Sequence, residues 1–454
     1  MPETRLKPAN TEQDLPRRLG LLDATCIVVG TVIGAGIFMV PGIVARNVPS
    51  ASGILLVWIV GGILSYFGAL AYAELGAAYP ATGGQYVFLR EAYGPGMAFV
   101  CGWTLWLVVM SGNLAAVAVS FTIYLGYFVP LSALQAKAAA VALIFVLTYL
   151  NYRGVRLGAA VQNTFTLLKL AGIAVLVGSA FFFRKAAPVH FLAPPAGLTL
   201  QGFGMALVAS LVAYDGWSNL SFVNGEVVKP QRTLPRAVAI GVGVAMAVYL
   251  LANIAYLRVL TPAAIAGAAR VGSDVAQQTM GAAGAAFLSV TVLISMLGAC
   301  NGTVMTAPRL YFAQALDGLF FRRFAKVHPT YRTPSVSVVA QGVWGALLAA
   351  TGSYELIINY AIFCAWAFYA LVVIGLMILR RSQPDVPRPY RLWGYPLTPL
   401  LFAGVAVLVL VNSVITTPLP SLSGLGIILA GIPVYFYWRR QHAVKVAEAR
   451  KVVA

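Results

Sequence analysis

Apolar runs long enough to cross a bilayer recur about twelve times along this chain, at 21–44, 53–79, 95–128, 133–152, 155–183, 200–226, 235–260, 282–314, 334–351, 354–380, 396–416 and 422–438. A run of roughly 20 apolar residues crosses hydrocarbon as a helix, which pairs its backbone groups within itself. The chain therefore reads as an all-α polytopic membrane protein of about twelve transmembrane helices. Only 10% of its residues are charged, where a soluble domain carries about 25%, and no sizeable soluble domain fits between the runs. The runs at 95–128 and 282–314 exceed one bilayer thickness and must tilt or project. Residues 1–20 are polar and carry Arg5, Lys7, Arg17 and Arg18, without the apolar core of a cleaved signal.

The net charge of +18 would suggest nucleic acid in a soluble protein. Here it reports topology. With the N-terminus inside, 24 Lys and Arg fall on inner loops and tails and six on outer loops, leaving Lys169 within a span. That asymmetry predicts both termini in the cytoplasm and an even number of spans, in a cell membrane. Ala263 to Met280, on the outer side, predicts a short helix over the outer mouth. Tyr79 to Pro95, on the inner side, predicts a short interfacial helix. The proline-studded stretch Pro384 to Pro389 separates a ten-helix body from the last two spans.

Two segments are interrupted. Gly30-Thr-Val-Ile-Gly34-Ala-Gly36 places three glycines in segment 1, and Tyr214-Asp-Gly-Trp217-Ser-Asn places turn-forming residues in segment 6. Glycine costs a helix interior about 1 kcal/mol and frees the backbone, while an unpaired backbone group in hydrocarbon costs several kcal/mol. An opened helix is tolerated where it lines a cavity. Breaks in the first helices of two five-helix halves mark a transport site at the midplane, with the halves inverted. The division expected is a tail at 1–20, a first repeat at 21–183, a second at 200–380, helices 11 and 12 at 396–438 and a tail at 439–454. After the break at Gly34, Ala35 and Gly36, free N–H groups form an anion site. Carbonyls at Val32 and Ile33, and at Val212, Ala213 and Tyr214, form a cation site. The pair suits an α-amino acid and selects no particular side chain.

Lys169 lies more than three helical turns from either end of its span, where a lysine costs roughly 2.5–3.5 kcal/mol. Its donors need acceptors, and the carbonyls near Gly30 and Thr31 are the expected ones. Desolvation opposes its charge and carbonyl hydrogen bonds support it, so either a fixed cation or a proton carrier follows. Asp215 is a helix cap or a group facing the substrate, Asp23 orients the start of segment 1, and Glu74 and Glu226 read as gate or surface salt-bridge partners. Trp217 is placed near the substrate; the other aromatics are packing. His190, His328 and His442 fall in loops or the tail. Cys26, Cys101, Cys300 and Cys364 lie in apolar segments, with neither metal spacing nor a disulfide loop.

Gly34-Ala-Gly-Ile-Phe38 resembles the first-helix signature of the amino acid–polyamine–organocation transporter superfamily, and Ala71-Tyr-Ala-Glu74-Leu-Gly with Tyr79-Pro-Ala-Thr-Gly83-Gly84-Gln-Tyr86 is similar to its helix 2–3 signature. Ala213-Tyr-Asp-Gly-Trp217, Lys229-Pro-Gln-Arg232-Thr-Leu-Pro235 and Ala307-Pro-Arg309-Leu-Tyr-Phe resemble the L-type amino acid transporter branch. The resemblance implies a five-plus-five inverted-repeat fold with broken helices 1 and 6, plus two extra C-terminal helices, and sodium-independent exchange. It implies carboxylate contacts at the Ala35 and Gly36 backbone, amine contacts at the Val32, Val212 and Asp215 carbonyls, and a fixed charge at Lys169 where sodium-coupled relatives hold an ion. Alanine at position 35 departs from the serine of many animal members, and Val212 from the bulky aromatic of several. The outer loop at 129–136 lacks the cysteine with which animal light subunits bind a glycoprotein, so no disulfide-linked heavy subunit is expected.

The function expected is a sodium-independent exchanger of small or medium neutral L-amino acids. The alternative is a proton-coupled symporter, accepting cationic amino acids as well. An enzyme would need a nucleophile–base pair or metal cluster at membrane depth. The spans hold no histidine and no His-Glu-x-x-His, so catalytic residues, metal and cofactor are expected to be absent. A channel would need a continuous polar lining that these spans lack.

Overall fold

The computed structural model describes residues 15–183, 191, 194–195, 197–268, 270–351 and 354–453. Arg5, Lys7, Arg184, Lys185 and His190 lie outside them, as does the side chain of His442. The helices are α1 (Leu21–Val32), α2 (Gly36–Asn47), α3 (Ala51–Ala78), α4 (Gln85–Tyr93), α5 (Pro95–Thr104), α6 (Met110–Leu125), α7 (Ala133–Tyr152), α8 (Val155–Phe182), α9 (Leu200–Ala213), α10 (Pro230–Val259), α11 (Pro262–Gly267), α12 (Val271–Thr306), α13 (Pro308–Leu316), α14 (Ser335–Thr351), α15 (Tyr354–Ser382), α16 (Leu397–Thr416) and α17 (Pro418–Val453). Among the described residues nine helical stretches are long and apolar enough to span a membrane, and α1 with α2 forms a tenth, bent by 44°. Segment 6 and the shorter α14 bring the spans to the expected twelve.

Four details depart from the uniform helices of the sequence pattern. The second half of segment 6 is a 3-10 helix, Trp217–Glu226. Segment 3 carries one π turn, Leu105–Val109, between α5 and α6. The run at 282–314 is divided between α12 and α13, and the helical path of α12 is interrupted at Gly281 (φ 67°) just before the expected start of the span. The stretch expected to lie at the interface forms α4, but Tyr86, Val87, Phe88 and Leu89 are buried in the bundle rather than laid on its surface. The Ala-rich stretch after segment 7 does form short helices. α11 packs on α2, with Arg46 donating to the Ala266 carbonyl at 3.1 Å.

The core runs down the bundle axis, where α1 packs against α8, α10 and α12. Small residues let these helices approach closely: a side chain at Gly241 would meet Val28, and one at Gly172 would meet Thr291. In lipid such packing, rather than exclusion of water, holds helices together. The same end of the bundle that begins α1 is closed by polar contacts. Asp23 accepts from the Gly20 amide at 2.8 Å and from Asn163 at 2.7 Å, orienting the start of α1 as expected. The amides of Arg18 and Leu19 donate to the Glu226 carbonyl, and Leu19 pairs with Val227 in a parallel bridge.

Glu74 and Glu226 are not surface residues. Arg309 grips the Glu226 carboxylate through Nε at 2.6 Å and Nη2 at 3.3 Å, with both side chains fully buried. Glu74, also fully buried, accepts from Arg380 Nε at 2.8 Å and from the Leu392 amide at 2.6 Å, tying α3 and α15 to the loop before α16. A carboxylate at this depth requires a cation. Position in the sequence shows the end of a helix but not how thickly neighbours cover it. Removing one member of a buried pair leaves an uncompensated charge and costs about 3–5 kcal/mol. Arg309→Met alone should therefore lower the melting temperature in detergent, and adding Glu226→Leu should recover part of the loss. An unchanged melt in the single variant would show that the pair contributes nothing.

Candidate functional site

The two breaks interlock. α1 ends at Val32, residues 33–35 leave the helical path, and α2 starts at Gly36 with no side chain capping its amides. α9 ends at Ala213, and the chain turns through Gly216 in the left-handed region (φ 115°). A Cβ at Gly216 would lie 2.6 Å from the Thr31 carbonyl oxygen, and one at Gly36 would lie 3.1 Å from the Ala213 Cβ. Only glycine gives both the turn at 216 and these two close crossings. The Thr31 hydroxyl reaches the Gly216 carbonyl at 2.9 Å across the first of them.

Lys169, on α8, fills the space behind the α1 break. Its Nζ donates to the carbonyls of Ile33 at 2.7 Å, Gly30 at 2.9 Å and Ser295 at 3.1 Å, and its side chain is fully buried. Three N–H groups thus meet three acceptors. Gly30 is one of the two carbonyls anticipated from the sequence. Thr31 is not a partner; its carbonyl faces Gly216 on the segment 6 side, and Ile33 and Ser295 stand in its place. Ser295 also places its hydroxyl 2.9 Å from the Ile33 carbonyl and 3.2 Å from that of Gly34. Tyr249, on α10, puts one hydroxyl 2.9 Å from both the Val32 and the Ala213 carbonyls. It joins the two half-helix ends from behind. Neither Ser295 nor Tyr249 was found from the sequence, since serine and tyrosine in a span carry no cost that marks them out.

A cavity of about 290 Å³ opens where the breaks meet. Of the residues anticipated, Thr31, Val32, Gly34, Ala35, Gly36, Val212, Ala213 and Asp215 line it. Gly30, Ile33, Lys169, Tyr214 and Trp217 do not. Ile33 and Lys169 are fully buried behind it, and the Tyr214 hydroxyl turns to the Trp58 carbonyl. Trp217 is packed beneath, against Tyr72, Tyr369 and Phe402, because the 3-10 winding turns its side chain away from the break. Polar groups that the sequence did not single out also reach the wall: Asn113 on α6, Asn219 after the break, Thr303 on α12 and Tyr369 on α15. The lining continues through Val40, Ser120 and Ala361, toward the end of the bundle that holds α11 and away from the start of α1.

Residues 19–437 match the amino acid permease family. The chain belongs to that family. Its relatives include transporters of the L-type branch named above and a bacterial exchanger. It is 32% identical over 414 residues to the b(0,+)-type amino acid transporter 1 of Mus musculus, covering 89% of this chain and 84% of the relative. It is 32% identical to the large neutral amino acids transporter small subunit 2 of Mus musculus, over 97% of this chain and 85% of the relative. It is 31% identical to the serine/threonine exchanger SteT of Bacillus subtilis (strain 168), over 95% of this chain and 99% of the relative. The family is one of transporters rather than enzymes.

Asp215 of the permease stands at the edge of the cavity. Its Oδ1 accepts from the Gly216 amide at 2.8 Å and from the Tyr369 hydroxyl at 2.7 Å, capping the turn, while the residue also forms part of the cavity wall. Tyr369 in turn lies 3.2 Å from the Ser218 hydroxyl. The space around the two segment 1 glycines differs. A Cβ at Gly34 meets nothing within 4 Å, whereas one at Gly36 presses on Ala213. Gly34→Ala should keep a normal melt and measurable uptake, and Gly36→Val should express yet lose uptake. Equal uptake in the two would remove the α2–α9 crossing from the site. Tyr249→Phe leaves two carbonyls without their shared donor, a change worth about 1 kcal/mol. It should raise the apparent KM roughly three- to tenfold, read from initial uptake rates; an unchanged KM would separate Tyr249 from binding.

Proposed function

We propose that this permease is a sodium-independent exchanger of small or medium neutral L-amino acids, working by alternating access between two inverted five-helix halves in a cell membrane. The observation that carries the proposal is the cavity between two broken helices. An uncapped helix N-terminus at Gly36 faces it, and the ends of the other two half-helices, at Val32 and Val212, lie beside it with the negative ends of their dipoles. The substrate carboxylate takes the amides of α2, and its ammonium takes the carbonyl ends. The names of the relatives, which include an exchanger for serine and threonine and a transporter of large neutral amino acids, support the same class. A volume of about 290 Å³ lies just below the range of about 300–1,000 Å³ for ligand pockets, as a small substrate requires.

The distribution of Lys and Arg supports a cytoplasmic side for both termini. The cavity then faces outward, closed on the inner side by the Trp217 aromatic cluster, the Glu226–Arg309 pair and the Leu19–Val227 bridge. All four cysteines are buried, which fits a permease working without a disulfide-linked partner. Lys169 supplies a fixed charge where an ion would otherwise hold helix 1. Its three carbonyl acceptors suit an ammonium, since a neutral amine would turn a lone pair toward one of them. This favours exchange over proton coupling.

In liposomes, uptake should require internal amino acid and be indifferent to sodium and to a pH gradient. Sodium-stimulated uptake, or uphill uptake into empty liposomes driven by protons, would overturn the exchanger. Asp215→Asn should leave the ratio of cationic to neutral uptake unchanged if the carboxylate serves as a cap. A selective loss of lysine and arginine uptake would instead widen the substrate class.

A further inference from the structure

A second hollow lies on the outer, lipid-facing wall of the bundle. It is a shallow groove of about 520 Å³ between the π turn and helices α7 and α14, lined by Trp106, Tyr152, Val336, Val339, Val343 and Trp344 among others. Val336, Val339, Ala340 and Val343 recur at helical spacing and form one stripe along α14. From Ser335 to Trp344 the stripe rises about 13 Å at 1.5 Å per residue. Val339 and Val343 are each 43% exposed and face the bilayer.

The groove has a polar end. Tyr152 closes α7 and Ser335 opens α14, and the Thr333 hydroxyl donates to the Tyr152 carbonyl at 2.9 Å. The next residue, Arg153, is exposed; it donates to the Tyr149 hydroxyl at 2.7 Å and lies over the Tyr331 ring. Arg156, Arg322 and Arg323 are exposed on the segments that flank this end. The chain has no acidic residue between Glu91 and Asp215, or between Asp317 and Glu355. The two stretches that build the groove therefore carry positive charge and no carboxylate of their own.

We propose that this groove binds an anionic phospholipid, with one acyl chain along the α14 stripe and the phosphate at Arg153. The apolar stripe begins beside the basic end of the groove and runs along α14 away from it. Arginine meets phosphate with paired N–H donors, and juxtamembrane basic residues attract anionic lipid by about 1 kcal/mol each. The π turn separates the site from the transport cavity. Trp344 donates its indole N–H to the Leu107 carbonyl at 2.9 Å, within the π turn, and packs near Trp106. Val109, the last residue of that turn, and Met110 and Asn113 beyond it line the cavity. A bound chain bears on the element that forms one wall of the substrate space.

Lipid binding is read without transport, so its failure is separate from that of the exchanger proposal. The permease would be reconstituted in nanodiscs of equal phosphatidylcholine and phosphatidylglycerol with matched chains. Retained lipid would then be counted by native mass spectrometry after detergent extraction. Wild type should hold phosphatidylglycerol at least fivefold over phosphatidylcholine. Val343→Trp, which fills the groove, and Arg153→Gln, which removes the phosphate partner, should each reduce that retention at least threefold. Val414→Trp, on the exposed face of α16, should not. Equal retention of the two lipids by wild type, or undiminished phosphatidylglycerol in Val343→Trp, would overturn the site.

Discussion

A single ammonium holds the centre of this structure together. Opening α1 at residues 33–35 strips carbonyls of their helical partners inside a membrane, where each unmet group costs several kcal/mol. Lys169 meets those of Gly30 and Ile33 and adds Ser295 on α12, at 2.7 to 3.1 Å. A buried lysine and a broken helix are each unfavourable alone. Together they satisfy one another, and three helices are fixed at one point. Tyr249 performs a smaller version of the same task, linking the ends of α1 and α9 with one hydroxyl.

The remainder of the bundle follows from keeping those two breaks in register. Gly216 under Thr31 and Gly36 against Ala213 allow the half-helices to cross at contact distance. The cavity is the space left between them, walled by backbone on one side and by α6, α12 and α15 on the other. Its backbone side offers what every amino acid shares. In the proposed binding mode, side-chain preference comes from the facing wall, where Asn113, Thr303 and Tyr369 stand, and from Asn219 beyond the segment 6 break. Below it the buried Glu226–Arg309 pair and the aromatic cluster around Trp217 form a thick layer. Any opening on that side must disrupt these contacts, a cost that substrate binding and the rearranged helices must offset.

Much of this was legible in the sequence, for physical reasons. Bilayer thickness fixes the length of a span, so the helices could be read from apolar runs. Glycines in a span and a lysine at its centre are costly enough to require an explanation, and both lie at the breaks. Contacts carrying no such cost were hidden. Ser295, Tyr249, Asn113 and Tyr369 are ordinary in a membrane helix, and only the packing of α10, α12, α6 and α15 brings them to the site. Periodicity could not show that residues 217–226 wind as a 3-10 helix, which turns Trp217 away from the cavity, nor that Glu74 and Glu226 are covered completely. It also gave no sign of the π turn at 105–109, whose residues face the cavity on one side and the groove along α14 on the other.

The central claim is that the Lys169 charge does the work of a bound ion in holding helix 1 for transport. The most direct test is exchange of radiolabelled amino acid in liposomes preloaded with substrate, comparing wild type with Lys169→Ala at equal reconstituted amounts. The account predicts that the variant remains monodisperse in detergent and loses nearly all exchange. Exchange at the wild-type rate in Lys169→Ala would contradict it.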